Sequence, residues 1–201
     1  MSLVKYKQKR DFRVSSEPTS GKNKSTKLSF VVQRHKASQL HYDFRLEMEG
    51  VLKSWAVPKG PSMNPSDKRL AMMVEDHPYD YKDFKGVIPE GYGAGIVEIW
   101  DKGTYTPVDE KGNIIEEKKL KASLKAGSIK FSLKGKKLQG EFALVRLKNI
   151  EKGNSWLLIK HRDDYAIDKA YDSEKETDKN SPINKWLAEN KKTVKKKPGS
   201  Q

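Results

Sequence analysis

Polar and apolar residues alternate in short runs through the middle of this chain, and the alternation predicts strands. The strictest run starts at Leu40: Leu40, Tyr42, Phe44 and Leu46 fall on one face of a strand, and His41, Asp43, Arg45 and Glu47 on the other. Leu28 to Arg34 reads as the preceding strand, with Leu28, Phe30 and Val32 on one side, and it delivers His35 at its end. Met48-Glu49-Gly50 makes a tight turn into a third strand over Val51 to Val57, which Pro58-Lys59-Gly60-Pro61-Ser62 stops.

Arg69 to Glu75 alternates again, and its parity carries on to His77, so Arg69, Glu75 and His77 are expected to point the same way, with Pro78 ending the pairing. Ile96 to Asp101, Ser128 to Leu133, Glu141 to Leu147 and Ser155 to His161 complete the set. Turn signals separate them: Lys102-Gly103, Lys134-Gly135 and Lys152-Gly153-Asn154. Roughly eight strands with few helices is the pattern of a sandwich or a closed barrel. The expectation is a mainly β fold: a compact, roughly eight-stranded β-barrel with short helices and a C-terminal helix. Glu116 to Ala126 is a short helix or a lysine-rich loop, and Ser181 to Ala188 reads as a capped final helix with Pro182 just inside its start. The chain thus divides into a basic N-terminal arm (1–27), a barrel (28–165), an extension with a short helix (166–190) and a basic tail expected to be disordered (191–201). No internal repeat is visible.

Charge changes the picture. Among 201 residues, 41 Lys and Arg face 27 Asp and Glu, a formal charge of +14, which makes nucleic acid the leading partner class. The plainer alternative is a set of solvated tail lysines, Lys191, Lys192, Lys195, Lys196 and Lys197. Mean hydropathy is -0.86, but the apolar residues are concentrated in the alternating runs, which argues against a disordered chain. There is no cysteine, so disulfides, thiolate nucleophiles and Cys-zinc sites are excluded and any metal must use His, Asp or Glu. Met1 to Arg10 has no apolar core and no run is long enough to span a bilayer. A cytoplasmic protein without membrane partners is expected, monomeric for want of a zipper or an exposed apolar stripe.

His35, His41 and Asp43 are the candidate metal ligands. At about 3.4 Å rise per residue, same-face neighbours sit roughly 7 Å apart, close enough to lean onto one ion, and a short link between antiparallel strands brings His35 alongside His41. Two imidazoles and a carboxylate leave positions open for a substrate oxygen or a water. Arg45 lies one step further on the same face, with Arg69, His77 and Lys59 as further phosphate-binding candidates; metal, arginine and histidine together make a phosphoryl-transfer site. Otherwise Arg45 simply pairs with Glu47 or Glu75 across the sheet. Gly91-Tyr92-Gly93-Ala94-Gly95 precedes a strand and not a helix, so it is a turn and not a nucleotide-phosphate loop. Trp55 and Trp100 lie in strand patterns and are assigned to the core. Two other readings fit parts of the pattern: a non-catalytic nucleic-acid-binding module, and the facial triad of a non-haem iron oxygenase.

Long stretches of the chain resemble one family. Phe30 to Ser38, Leu40 to Leu46, Ser54 to Ser62, Val74 to Pro78 with Tyr81, and Ile88 to Gly95 closely resemble the 3'-phosphoesterase domain of bacterial and archaeal DNA ligase D, from about Arg10 to Tyr105 and more loosely through Trp156 and Lys160. The resemblance implies a small β-barrel enzyme dependent on Mn2+, or on Zn2+, Co2+ or a similar ion, that removes a terminal 3'-phosphate and a terminal 3' ribonucleoside from primer-template ends and leaves a 3'-hydroxyl. By matching position it assigns His35, His41 and Asp43 to the metal, Arg45 and His77 to the scissile phosphate, and Arg69 and Tyr81 to further active-site positions. The family's arm contributes an Arg-Asp pair and a glutamate, here Arg10-Asp11 and Glu17, which implies that the arm folds over the site. In many relatives the domain is fused to ligase and polymerase modules; here it is expected to stand alone, with DNA or RNA-DNA ends as substrate and any ligase or polymerase encoded separately.

Overall fold

The computed structural model describes residues 3–148 and 153–194. In chain order its elements are α1 (Val4–Gln8), β1 (Leu28–Lys36), β2 (Leu40–Met48), β3 (Val51–Val57), β4 (Lys68–Met73), β5 (His77–Pro78), a 3-10 turn (Tyr79–Asp83), β6 (Gly86–Ile88), β7 (Gly95–Val108), α2 (Glu117–Ala126), β8 (Ser128–Lys134), β9 (Gln139–Arg146), β10 (Ser155–Lys160) and α3 (Pro182–Val194). The order β1-β2-β3-β4-β10-β9-β8-β7 closes on itself through pairing of β7 with β1. Every neighbouring pair is antiparallel. The fold is therefore a closed eight-stranded antiparallel barrel with three short helices, as the alternation predicts, and closure leaves the barrel no free edge.

Two apolar faces explain why the wall β1–β3 is buried on both sides. Phe30, Val32, Phe44, Leu46, Trp55 and Phe131 belong to the core inside the barrel. A second cluster covers the outside of the same wall: Tyr6 from α1, Leu52, Tyr79, Tyr81, Phe84 and Ile88. The polar residues that alternate with the core on β1 and β2 are thus sealed under the arm and the β5–β6 segment instead of facing water.

Three expectations need correction, two of them about strands. The alternation predicts that β4 continues to Glu75 and that its parity orients His77, but β4 ends at Met73, and His77 and Pro78 pair with Leu52 and Val51 of β3. Pro78 therefore lies within a short pairing and does not end one. Lys102-Gly103 is not a turn either, because β7 runs through it. Gly103 serves close packing instead: a Cβ there would lie 2.1 Å from the Lys134 carbonyl oxygen of β8. The third concerns the tail expected to be disordered from Lys191: the α3 backbone is helical to Val194, and residues 195–201 lie outside the described residues.

The segment after β10 packs back onto the barrel. Arg34, on the inward parity of β1, is fully buried and donates to Glu98 at 2.9 Å, Glu174 at 2.6 and 2.9 Å, and Asn184 at 2.9 Å. Tyr42 also donates to Glu174, and the Trp100 indole N–H to the Ser173 carbonyl at 3.2 Å. Ser181 caps α3 by accepting the Asn184 N–H at 3.3 Å, with Pro182 at the first helical position.

Glu98 is nearly buried while Glu174 is well exposed, so the cost of losing Arg34 falls on Glu98, which would be left charged and unpaired. Arg34→Leu is expected to destabilise the protein by ~3 kcal/mol and to open residues 161–181 to limited proteolysis. A denaturant midpoint and digestion pattern matching the unchanged protein would refute this role.

Candidate metal and phosphate site

The outer face of the β1–β2 hairpin carries the cluster. In the pairing register His35 stands opposite His41, Gln33 opposite Asp43, and Val31 opposite Arg45. The two imidazole rings are 4.8 Å apart between centroids. His35 Nδ1 lies 3.6 Å from Asp43 Oδ2, and His41 Nε2 lies 3.7 Å from Asp43 Oδ1. One ligand atom from each residue falls within 4.8 Å of the others.

Backbone carbonyls orient both rings. His35 Nε2–H donates to the Gly93 carbonyl at 2.9 Å, and His41 Nδ1–H to the Gln39 carbonyl at 3.0 Å. Each proton assigned this way leaves the other nitrogen's lone pair facing Asp43, the arrangement that orients metal-binding histidines. Burial opposes ionisation of Asp43, but the Arg45 guanidinium beside it holds it well below the usual carboxylate range. A converging N,N,O donor set with its tautomers fixed from behind fits a divalent first-row ion.

Arg45 is locked beside these ligands. Its Nε donates to Gln33 Oε1 at 2.7 Å and its Nη2 to Asp43 Oδ2 at 3.1 Å. Gln33 is held in turn by donating to the carbonyls of Tyr81 and Phe84, at 2.9 and 2.8 Å. Arg45 Nη1 is buried with no hydrogen-bond partner among the described residues, and Arg45 lines a cavity of ≈ 220 Å³ together with Arg10, His35, His41, Asp43 and His77. A buried guanidinium nitrogen with no acceptor is costly unless a ligand supplies one.

The arm closes the other side. Tyr6 anchors it by donating to the Pro18 carbonyl at 2.6 Å and by packing edge-on against His77, at 5.1 Å between ring centroids. Arg10 donates to Glu17 at 2.8 Å, to Glu75 at 3.1 Å and, through Nη2, to His77 Nε2 at 3.2 Å. Tyr81 donates to the same Glu17 oxygen at 2.8 Å. His77 Nδ1–H donates to the Glu75 carbonyl at 2.9 Å, which leaves Nε2 as the acceptor. Burial, with the Arg45 and Arg10 guanidiniums beside it, pushes His77 well below the ordinary imidazole range, so it is neutral.

Of the residues singled out from the sequence, His35, His41, Asp43, Arg45, His77, Tyr81 and Arg10 line this cavity, and Glu17 braces Arg10 and Tyr81. Three stand apart. Arg69 binds Asp67 at 2.8 Å and the Tyr171 carbonyl at 2.8 Å, because β4 ends before its parity can reach His77. Asp11 pairs with Arg13 at 2.6 Å, and Lys59 is exposed in the turn after β3. Arg45 pairs with neither Glu47, which accepts from the Ser29 N–H at 2.8 Å, nor Glu75, which takes Arg10 and Lys9. Sequence reasoning gave no role to Gln33, although its parity with His35 places it opposite Asp43, and none to Tyr6, whose place depends wholly on how the arm docks.

The structure is a closed antiparallel barrel whose outer wall presents two imidazoles and a carboxylate that could hold a metal ion, beside a locked arginine. The family model for the DNA ligase D 3'-phosphoesterase domain matches residues 33–146. The chain belongs to this family. It is 48% identical over 168 residues to the multifunctional non-homologous end joining protein LigD of Pseudomonas aeruginosa, covering 82% of this chain and 19% of the relative. It is 39% identical over 170 residues to the multifunctional non-homologous end joining DNA repair protein LigD of Mycobacterium tuberculosis (82% of this chain, 21% of the relative) and 40% identical over 164 residues to LigD of Mycolicibacterium smegmatis (80% and 21%). The chain spans about a fifth of the length of these relatives. The stretch 33–146 contains His35, His41, Asp43, Arg45, His77 and Tyr81; Arg10 and Glu17 precede it.

The His77 environment has a consequence for pH. The unfolded chain takes up a proton near the ordinary value of 6.5, and the folded chain does so only well below it. Stability is then fully present above about 6.5 and falls as pH drops below that value, by up to ~1.4 kcal/mol per pH unit. Denaturant midpoints between pH 7.5 and pH 5 should show a shallower slope for His77→Gln; equal slopes would count against a buried neutral His77. His161, also shifted down by burial, supplies a residual slope in both proteins.

Proposed function

We propose that this chain is a divalent-metal-dependent phosphoesterase, most simply manganese-dependent, that heals DNA 3' ends for non-homologous end joining. It removes a terminal 3'-phosphate and a terminal 3' ribonucleoside and leaves a 3'-hydroxyl for a polymerase and ligase that need not lie on the same chain. Family membership supports the reaction class. The observation that carries the reading is the buried, partnerless Nη1 of Arg45 beside a carboxylate and two imidazoles whose lone pairs converge.

In this reading His35, His41 and Asp43 hold the ion, which supplies Lewis acidity toward a phosphate oxygen when bound. Arg45 donates through Nη1 to a second phosphate oxygen and, pinned by Gln33 and Asp43, needs no reorganisation as charge develops. Arg10, fixed between Glu17 and Glu75, turns its Nη2 toward the same oxygens. His77 enters neutral, its Nδ1 proton held by the Glu75 carbonyl and its Nε2 accepting from Arg10 Nη2, so it positions Arg10 beside the phosphate. Tyr81 keeps Arg45 in place from beneath, its ring centroid 4.8 Å from the guanidinium carbon. Arg69, Lys59 and Asp11 stand outside the cavity and take no part in this step.

The test is a product assay on labelled primer-templates ending in a 3'-ribonucleotide or a 3'-phosphate, with manganese or with chelator. Conversion to a 3'-hydroxyl with manganese alone is expected, and Asp43→Asn should lower it at least ~100-fold, since even outer partners of metal ligands are worth 10–100-fold. Full activity of Asp43→Asn would overturn the ligand assignment. Tight DNA binding without conversion under any divalent ion would leave a binding module in place of an enzyme.

A further inference from the structure

The cavity at the cluster is too small for what the proposed substrate carries. At ≈ 220 Å³ it lies below the roughly 300 Å³ at which ligand pockets begin; it has room for an ion and a phosphate group but not for a nucleoside as well. A second cavity of ≈ 320 Å³ adjoins it, lined among others by Lys9, Asp11, Ser15 and Glu90. Arg10 and Tyr92 line both cavities and form the partition between them.

Tyr92 is placed to hold a base. It is 48% exposed, on a chain whose other aromatic rings are mostly buried. It is also not a loose surface ring. Gly93, its neighbour, accepts the His35 N–H at 2.9 Å, and Lys9 Nζ lies 4.3 Å from the ring centroid. The backbone beside the ring is therefore tied to His35, and Arg10 Cζ lies 5.6 Å from the ring centroid. The lining of the second cavity is mixed in charge, Lys9 and Arg10 with Asp11, Glu17 and Glu90, and a carboxylate such as that of Glu90 can accept from base amino groups and sugar hydroxyls.

We propose that the 3'-terminal nucleoside of the substrate strand occupies this second cavity with its base stacked on Tyr92, while its 3'-phosphate passes the Arg10 partition into the first. This rests on the 3'-end reading above and adds the element that sets the strand end. Tyr92 touches the base and not the reacting atoms, so it is a substrate-positioning residue. Stacking on an aromatic ring accepts any of the four bases, which suits an enzyme that must act on ends of arbitrary sequence.

The experiment uses an oligonucleotide ending in 2-aminopurine with a 3'-phosphate, titrated with the full chain in chelator so that binding is read without turnover. Quenching of the terminal 2-aminopurine is expected, with binding ~10-fold or more weaker in Tyr92→Leu and restored in Tyr92→Phe and Tyr92→Trp. With manganese, the Tyr92→Leu loss should be carried by KM. An abasic terminal nucleoside should lose the same factor against the unchanged protein. Equal quenching and affinity in Tyr92→Leu, or no cost for the abasic end, would overturn the proposal. Quenching that depends on Tyr92 without any release of phosphate would uphold the stacking site and overturn the catalytic reading instead.

Discussion

Asp43 is a carboxylate buried in the wall of a barrel, and the arrangement of the site follows from keeping it charged there. An isolated carboxylate in such a place would take up a proton, because burial alone raises its affinity for one. Arg45 at 3.1 Å prevents that, and the two imidazoles stand beside the carboxylate at 3.6 and 3.7 Å. Each of these partners needs its own support. Arg45 requires Gln33, Gln33 requires the Tyr81 and Phe84 carbonyls, and the imidazoles require the Gly93 and Gln39 carbonyls. The outer layer of loops is thus tied to the ligands through hydrogen bonds in fixed directions, and the tyrosine-rich cluster outside β1–β3 supplies the apolar burial that holds those loops down.

How much of this is legible in the sequence depends on whether a feature is local to one hairpin. The His35, His41 and Asp43 cluster is legible because period-two alternation and a three-residue link between β1 and β2 decide which side chains meet, and both are short-range. The barrel is legible for the same reason, strand by strand. The relation of Arg69 to His77 is not, because parity argues only within a continuous strand, and the chain leaves β4 at Met73 to pair again with β3. Gly103 misleads because a glycine needed for close strand packing looks like one needed for a turn. Tyr6 and the buried Glu17 lie in a stretch whose composition argues for little order; they are ordered by what they dock against.

The arm also settles the charge of the site. Lys9, Arg10 and Arg45 face Glu17, Asp43 and Glu75, three cations against three carboxylates, each cation in contact with at least one of the acids. These charged groups around the cavity therefore come close to cancelling.

It follows that the +14 of the whole chain is not located in this cavity. The excess lies on the rest of the molecule, where it acts over distances of a Debye length, about 8 Å at physiological salt, and raises the local concentration of polyanions. Because the surface excess is screened by salt while the buried pairs of Arg10 and Arg45 are largely protected from it, raising ionic strength weakens the surface attraction and leaves those pairs standing.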